Sequence, residues 1–447
     1  MVMFRLHPRA NSAVLAAPLL LCIVAVYVSS DYVAGDLDGY WTAATAKAAS
    51  ALIFIAPVTA ACAAWEAGRI RRARIGDGTP TRNGWQIAAA ALAPVVLLGF
   101  LALSAALAVV RLHMESAPGW PDARIIASAG VIVCAHVIAG YAIGMWLPTV
   151  AAVPVVLVGD YLWNVYPPAL QPLWLRHLTR PASGCCMNTS AVDPAGIVGP
   201  ALVAIGLAAV AVAAAAVSRH TPRLGGLPGF VPYVGAALAL TAAAATTSAS
   251  VALVDGLGPD AIRARPAADL VCSDPQGTRV CVWPEHAPRL TETARVVSEA
   301  AARLRLVGVT SPDVITENNN QKPGPRQPSQ PGQWTVTVRQ DPGFTSQDIV
   351  TSLISDLTVT LVDSTHNESH AHANCPADPA TAAQRAFDAE DELRSWLAVR
   401  AGMTPQEARL RSDPRIWEPV GHVLDAPLSS QKAWYRATLA EVRCMPR

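Results

Sequence analysis

Between Ser364 and Cys375 four residues of metal-binding type crowd into seven positions: His366, Glu368, His370 and His372. Imidazoles and a carboxylate this close can hold zinc, and His-x-Glu-x-His is loosely like a zinc-protease motif. The detail departs from that motif, in which two histidines stand four apart on a helix with the glutamate directly after the first. Here Asn367 takes that place and Glu368 falls elsewhere on a helical wheel. Beside Cys375-Pro376 the segment reads as a solvated polar loop, with metal binding as the sharper alternative. Trp283-Pro284-Glu285-His286, just after Cys281, has a similar pair of readings: a buried tryptophan ahead of a helix start, or a substrate contact.

A second group of polar residues lies in apolar surroundings. Asp160 falls inside an apolar stretch long enough to cross a bilayer, and a carboxylate at that depth costs on the order of 2.5 to 3.5 kcal/mol on insertion scales. Two readings stay open. Asp160 lines a translocation route or takes up protons, or, with Tyr161, Trp163 and Asn164 following it, lies in an outer interfacial belt. His136 reads as a hydrogen-bonded packing residue. Gly140 and Gly144, four apart, permit close helix packing.

The cysteines bear on compartment, because disulfides persist where the surroundings are oxidising. Cys272 and Cys281 bracket a turn-like segment and predict a hairpin staple; Cys444 would then tie a final helix back to the loop at Cys375. Cys185-Cys186 would pair with each other or stay free. No Gly-x-Ser-x-Gly elbow, His-Glu-x-x-His or Gly-x-x-x-x-Gly-Lys-Ser/Thr phosphate loop occurs in the chain. Neither an enzyme nor a bound cofactor is expected, and energy coupling must come from another polypeptide or an ion gradient.

The elements that position these residues follow from hydropathy. The chain is 52% hydrophobic and 15% charged, whereas a soluble protein carries about a quarter charged residues. Lipid is the expected solvent for residues 1–255. A crossing helix needs about 20 apolar residues, which predicts spans near 13–29, 48–65, 87–110, 125–146, 149–166, 195–217 and 230–254. The fourth and fifth come from one uncharged run, Ile125 to Gly159. As a single helix it would be about 50 Å long, and Pro148 and Pro154 oppose that continuity, so the run predicts a hairpin turning at Leu147-Pro148. The excess of arginine on alternate loops puts the N-terminus in the cytoplasm. Seven spans then put residues 256–447 outside the cell membrane. That part has ordinary charge density and predicts a mainly α, α+β soluble domain. Its helices are expected from near Pro288 to Leu306, and at 346–361, 379–399, 405–410 and 429–442, with a strand at Trp334 to Val338. Net charge is +1 and no Lys/Arg tract is present, so nucleic acid is not an expected partner.

One segment carries a family resemblance. Ala60 to Pro94, AACAAWEAGRIRRARIGDGTPTRNGWQIAAAALAP, resembles the second span, inner loop and third span of bacterial ABC-2 type exporter permeases. In that family a glutamate and basic residues leave the second helix, a short coupling segment follows, and a Thr-Pro-x-Arg-like turn leads back into the membrane. The matching positions are Glu66, Arg69, Arg71, Arg72 and Arg74, then Thr79-Pro80-Thr81-Arg82. With its outer C-terminal domain, the chain also looks like a group of actinobacterial permease-like proteins. The resemblance implies a permease subunit of an exporter, a separate ATP-binding subunit docked on this loop, and work as a homo- or heterodimer. The family's usual six spans, with both ends inside, differ from the seven spans and outer domain read here. Two other functions fit the same sequence: a non-transporting membrane sensor with an outer ligand-binding domain, and a membrane-anchored hydrolase using His366, Glu368 and His370.

Overall fold

The computed structural model describes residues 11–30, 39–73, 84–114, 118–182, 185–219, 231–275, 277–317, 334–340, 343–367 and 378–442. The chain divides into two compact units, one up to Arg263 and one from Ala264. The first contains α1 (Ser12–Ser29), α2 (Trp41–Ser50), α3 (Leu52–Arg72), α4 (Gly84–Leu112), α5 (Ala123–Trp146), α6 (Thr149–Val165), α7 (Ala195–Arg219) and α8 (Val231–Val254). All but α2 are long and apolar enough to cross a bilayer, as a multi-pass membrane protein requires.

Local chemistry accounts for several boundaries. Asn11 caps α1 by accepting from the Ala13 amide, and Asp122 caps α5 by accepting from that of Arg124. Leu147 is extended and Pro148 opens α6, so the uncharged run turns where its proline predicts. The second span differs from expectation. It begins at Leu52, because Trp41–Ser50 forms a helix of its own, and it runs on to Arg72, which puts Arg69, Arg71 and Arg72 on the helix itself.

α3 is the axle of this unit and packs against α1, α4, α5 and α6. On α5, Gly140 and Gly144 lie directly on the backbone of Ala60 and Ala64, the close approach that small residues four apart allow. Polar contacts lace both ends. At one, the Ser12 amide donates to buried Glu66 Oε1 (2.8 Å). At the other, the Asp122 amide donates to Thr45 Oγ1 (3.0 Å), Ser128 Oγ to Ile197 O (2.9 Å) and His177 Nε2 to Gly258 O (2.9 Å). The start of α1 and the end of α8 therefore lie at opposite ends, as an odd number of crossings demands.

The second unit is built on a four-stranded sheet in the order β1 (Val271–Ser273), β2 (Arg279–Val282), β3 (Val314–Glu317) and β4 (Trp334–Val336). The first pair is antiparallel and the next two are parallel, with Val280 opposite Ile315 and Ile315 opposite Trp334. α9 (Leu290–Leu306) connects β2 to β3 and buries Ala294, Val297, Ala301 and Leu304, one stripe at helical spacing. α10 (Ser346–Asn367), α11 (Pro379–Ala401), α12 (Pro405–Leu410), α13 (Pro414–Asp425) and α14 (Leu428–Val442) complete it. Its core centres on Trp396, fully buried, which stacks on Tyr435 and donates to Gln431 Oε1 (3.0 Å). The α+β character expected from the sequence holds; α13 is additional to the helices expected.

Candidate functional site

Asp160 on α6 faces His136 on α5. His136 Nδ1 lies 2.6 Å from Asp160 Oδ1, and the two side chains are only 6% and 9% exposed. Asn164, one turn further along α6 and fully buried, donates its amide to the same oxygen (3.1 Å) and to Asp160 O (2.9 Å). The carboxylate is turned to His136 and its residue is among those lining a cleft. His136 is hydrogen-bonded, as expected, and its partner is that carboxylate.

The cleft is about 570 Å³ and opens between α5, α6, α7 and α8. Ile132, Ile143, Val155, Val203 and Leu207 give it apolar walls, and Trp163 is also among its lining residues. Two buried polar atoms on these walls have no hydrogen-bond partner among the described residues: Asp160 Oδ2 and Thr179 Oγ1. A buried carboxylate oxygen without a donor is costly, and both atoms are closed off from the open space of the cleft. Chemically the cleft suits an apolar molecule, with the Asp160–His136 pair as the polar feature of its wall.

Thr179 belongs to a polar knot at the end of the unit where His177 meets Gly258. Burial pulls the His177 imidazole below its usual range against the opposing hydrogen bond to Gly258, and it pulls the Arg180 guanidinium down as well. Lys47 on α2 is lowered by burial to about 8. Cys185 and Cys186, in the same segment as Thr179, bring their sulfurs next to each other.

The basic residues beyond Glu66 sit at the other end. Arg69 pairs with Glu66 (2.9 Å), Arg71 Nη1 donates to Met145 O (3.2 Å), and Arg72 Nη1 donates to the Thr149 hydroxyl. Two of these guanidiniums thus grip the α5–α6 turn, the hairpin that carries His136 and Asp160. Arg74 and Arg82 lie outside the described residues.

In the second unit Cys272 and Cys281 face each other across β1 and β2, with Cα atoms 4.0 Å apart, as a disulfide pair; Cys375 and Cys444 lie outside the described residues. His366 falls at the end of α10, and Glu368, His370 and His372 lie outside the described residues. Among the described residues no group of three His, Cys, Asp or Glu is placed to hold a metal ion. Trp283 is fully buried under Arg265, whose guanidinium sits 4.6 Å from the ring centre. His286 Nδ1 pairs with Glu317 Oε1 (2.7 Å), while Glu317 Oε2 accepts from the Trp283 amide (2.9 Å) and Glu285 pairs with Arg265 (2.9 Å). This network matches the buried reading of the Trp-Pro-Glu-His segment.

The pairing of His136 with Asp160 has a signal in the sequence. They stand eleven residues before Leu147 and twelve after Pro148, hence at one level of an antiparallel hairpin. Thr179 has no such signal, since its approach to the cleft depends on the path of the segment between α6 and α7.

By class, the chain is a helical unit with seven helices of bilayer-spanning length and apolarity among the described residues, joined to an α+β unit. Residues 280–444, most of the second unit, match the model of a domain of unknown function, DUF7224. No curated protein and no solved structure is similar to the chain.

Proposed function

We propose that the chain is the permease-like membrane subunit of an ABC-type exporter, dependent on a separate ATP-binding subunit and working as a homo- or heterodimer. It crosses the cell membrane seven times with its N-terminus in the cytoplasm and residues 264–447 outside. The observation that carries this reading is the apolar cleft with a carboxylate–imidazole pair on its wall, in helices whose turn is gripped by Arg71 and Arg72. A partner pushing on the loop after α3 would move the α5–α6 turn directly, and with it the cleft. The likeness of residues 60–94 to exporter permeases supports the partner. The arginine bias and the Cys272–Cys281 pair support the orientation.

The test is a mild-detergent pull-down of the tagged native protein with mass spectrometry of what accompanies it, repeated with Arg74→Glu and Arg82→Glu together, which leaves the arginines gripping the turn untouched. An ATP-binding subunit recovered with the native chain and lost from the variant is the expected result. Its absence from intact native protein refutes the permease reading and favours a sensor with an outer ligand-binding unit.

A further inference from the structure

We propose that the cleft between α5, α6, α7 and α8 seats an acyl chain of a bilayer phospholipid. The inference rests on reading the first unit as membrane-embedded, and it names a lipid as the class of molecule that the permease reading would move.

Which helices touch decides where the cleft opens. α6 packs on α3 and α5, and α7 packs on α5 and α8, whereas α6 shares no packed face with α7 or α8 among the described residues. α5 is therefore the floor of a gap whose walls are α6 on one side and the α7–α8 pair on the other. The cleft of about 570 Å³ is that gap. On α7, Val203, Leu207 and Val210 line it at helical spacing. Val155 on α6 and Leu207 on α7 are 53% and 38% exposed, while Ile132 on α5 is 1% exposed. The mouth is thus on the side away from α5, at the outer face of the bundle.

Both ends of the gap are bridged. At the α5–α6 turn the Trp146 indole reaches across to donate to Ala214 O of α7 (3.2 Å), one turn beyond the lining residues Ile143 and Val210. At the other end the segment joining α6 to α7 crosses the gap. Its buried Leu178 and Thr179 line the cleft, and the neighbouring His177 bonds Gly258 O (2.9 Å), just past α8. A molecule arriving from water at either end meets a bridge. One arriving from the side meets the mouth, and what lies beside a bilayer-spanning helix is hydrocarbon.

The walls select the same occupant. Their isoleucine, valine and leucine side chains offer no hydrogen bonds, and the Asp160–His136 pair is bonded within itself and to Asn164. An unfilled apolar space leaves its lining atoms without neighbours and forfeits their dispersion contacts, which a flexible chain restores. Lipid tails are already as apolar as leucine, so the gain is packing rather than transfer from water. The volume lies in the range of small-molecule sites.

The experiment is native mass spectrometry of the full chain, purified in tetraethylene glycol monooctyl ether and titrated with dioleoyl phosphatidylcholine. One phospholipid should bind about tenfold or more tighter than the second. Val203→Trp, which fills the cleft, and Leu207→Trp, at its mouth, should each weaken that first association by about tenfold or more. Leu238→Trp, on an exposed part of α8 outside the cleft, should leave it unchanged. Successive lipids binding the native chain with like affinity overturn the proposal without recourse to any variant. So does a first lipid that both cleft variants retain, or that Leu238→Trp loses equally. The assay needs neither ATP nor a partner, so a failed pull-down does not touch this site, and a failure here leaves the permease reading intact with a substrate other than lipid.

Discussion

Replacing Gly140 by alanine tests whether α3 and α5 are in backbone contact. A Cβ added there would overlap Ala60 O and lie 2.7 Å from Ala60 C and 2.9 Å from its Cα. All three are backbone atoms of a helix and cannot rotate away. With ordinary carbon contacts near 3.5 Å, α3 must retreat by roughly 1 Å along this seam, and overpacking of that kind costs about 1–3 kcal/mol. The better helix propensity of alanine returns up to about 1 kcal/mol. The same substitution at Gly235 on α8 meets no atom within 4 Å and keeps only the propensity gain. The two chemically identical changes should therefore differ by about 2 kcal/mol, or roughly 4–8 °C on the scale of a mid-sized domain. Thermal melts of detergent-purified protein followed by size exclusion would measure this, with Gly140→Ala below the native chain and Gly235→Ala at or above it. If Gly140→Ala melts with the native chain, the close seam described here is wrong.

Two further outcomes can be checked. Because burial lowers Lys47 to about 8 from an ordinary 10.5, the unfolded chain binds more protons between those values. Stability should then rise with pH from about 8 to 10.5, and Lys47→Met should flatten that rise in melts taken across the range. Removing the Cys272–Cys281 link with a double serine substitution should destabilise the second unit by about 2–3 kcal/mol, the loop-closure value for so short a loop. The same substitution should leave the maleimide count of the denatured, unreduced protein unchanged, since bonded sulfurs do not react; a count lower by two would mean that the native cysteines are free.

Much of the first unit is legible because lipid imposes a crude rule. Uncharged length and proline position were enough to divide Ile125 to Gly159 into two helices, since Pro148 cannot continue α5 and suits the start of α6. The Gly140 and Gly144 spacing announced a close contact, though nothing in α5 named Ala60 and Ala64 as its floor. Cys272 and Cys281 were legible because they bracket a turn, which is a local relation. What stayed hidden is tertiary. The break at Ala51 lies in an alanine-rich stretch with no helix-stopping residue. α13 contains Pro419 and reads as loop, yet Asp413 caps it and its apolar face buries Ile416 and Val420. The sheet combines one local hairpin with two parallel neighbours, and parallel partners are set by what packs between them rather than by alternation. At the cleft, the sequence supplied Asp160 and His136 separately. Their facing depends on the rotation of two helices about their axes, which hydropathy reports only weakly when both helices are apolar nearly all round.

The way α7 and α8 are attached has a mechanical consequence. α8 packs mainly on α7 and on the turn of helix at residues 173–178, so the two together form a leaf hinged against α5. At one end Ser128 of α5 bonds Ile197 and His177 bonds Gly258 just past α8, while Ser250 to Gly199 and Asp193 to Ala261 tie the leaf's own helices and their flanks together. Toward the other, the Trp146 indole on α5 donates to Ala214 O (3.2 Å). A leaf tied at both ends and packed on α5 would follow any shift of α5, and its Trp146 tie lies at the end where Arg71 and Arg72 hold the α5–α6 turn.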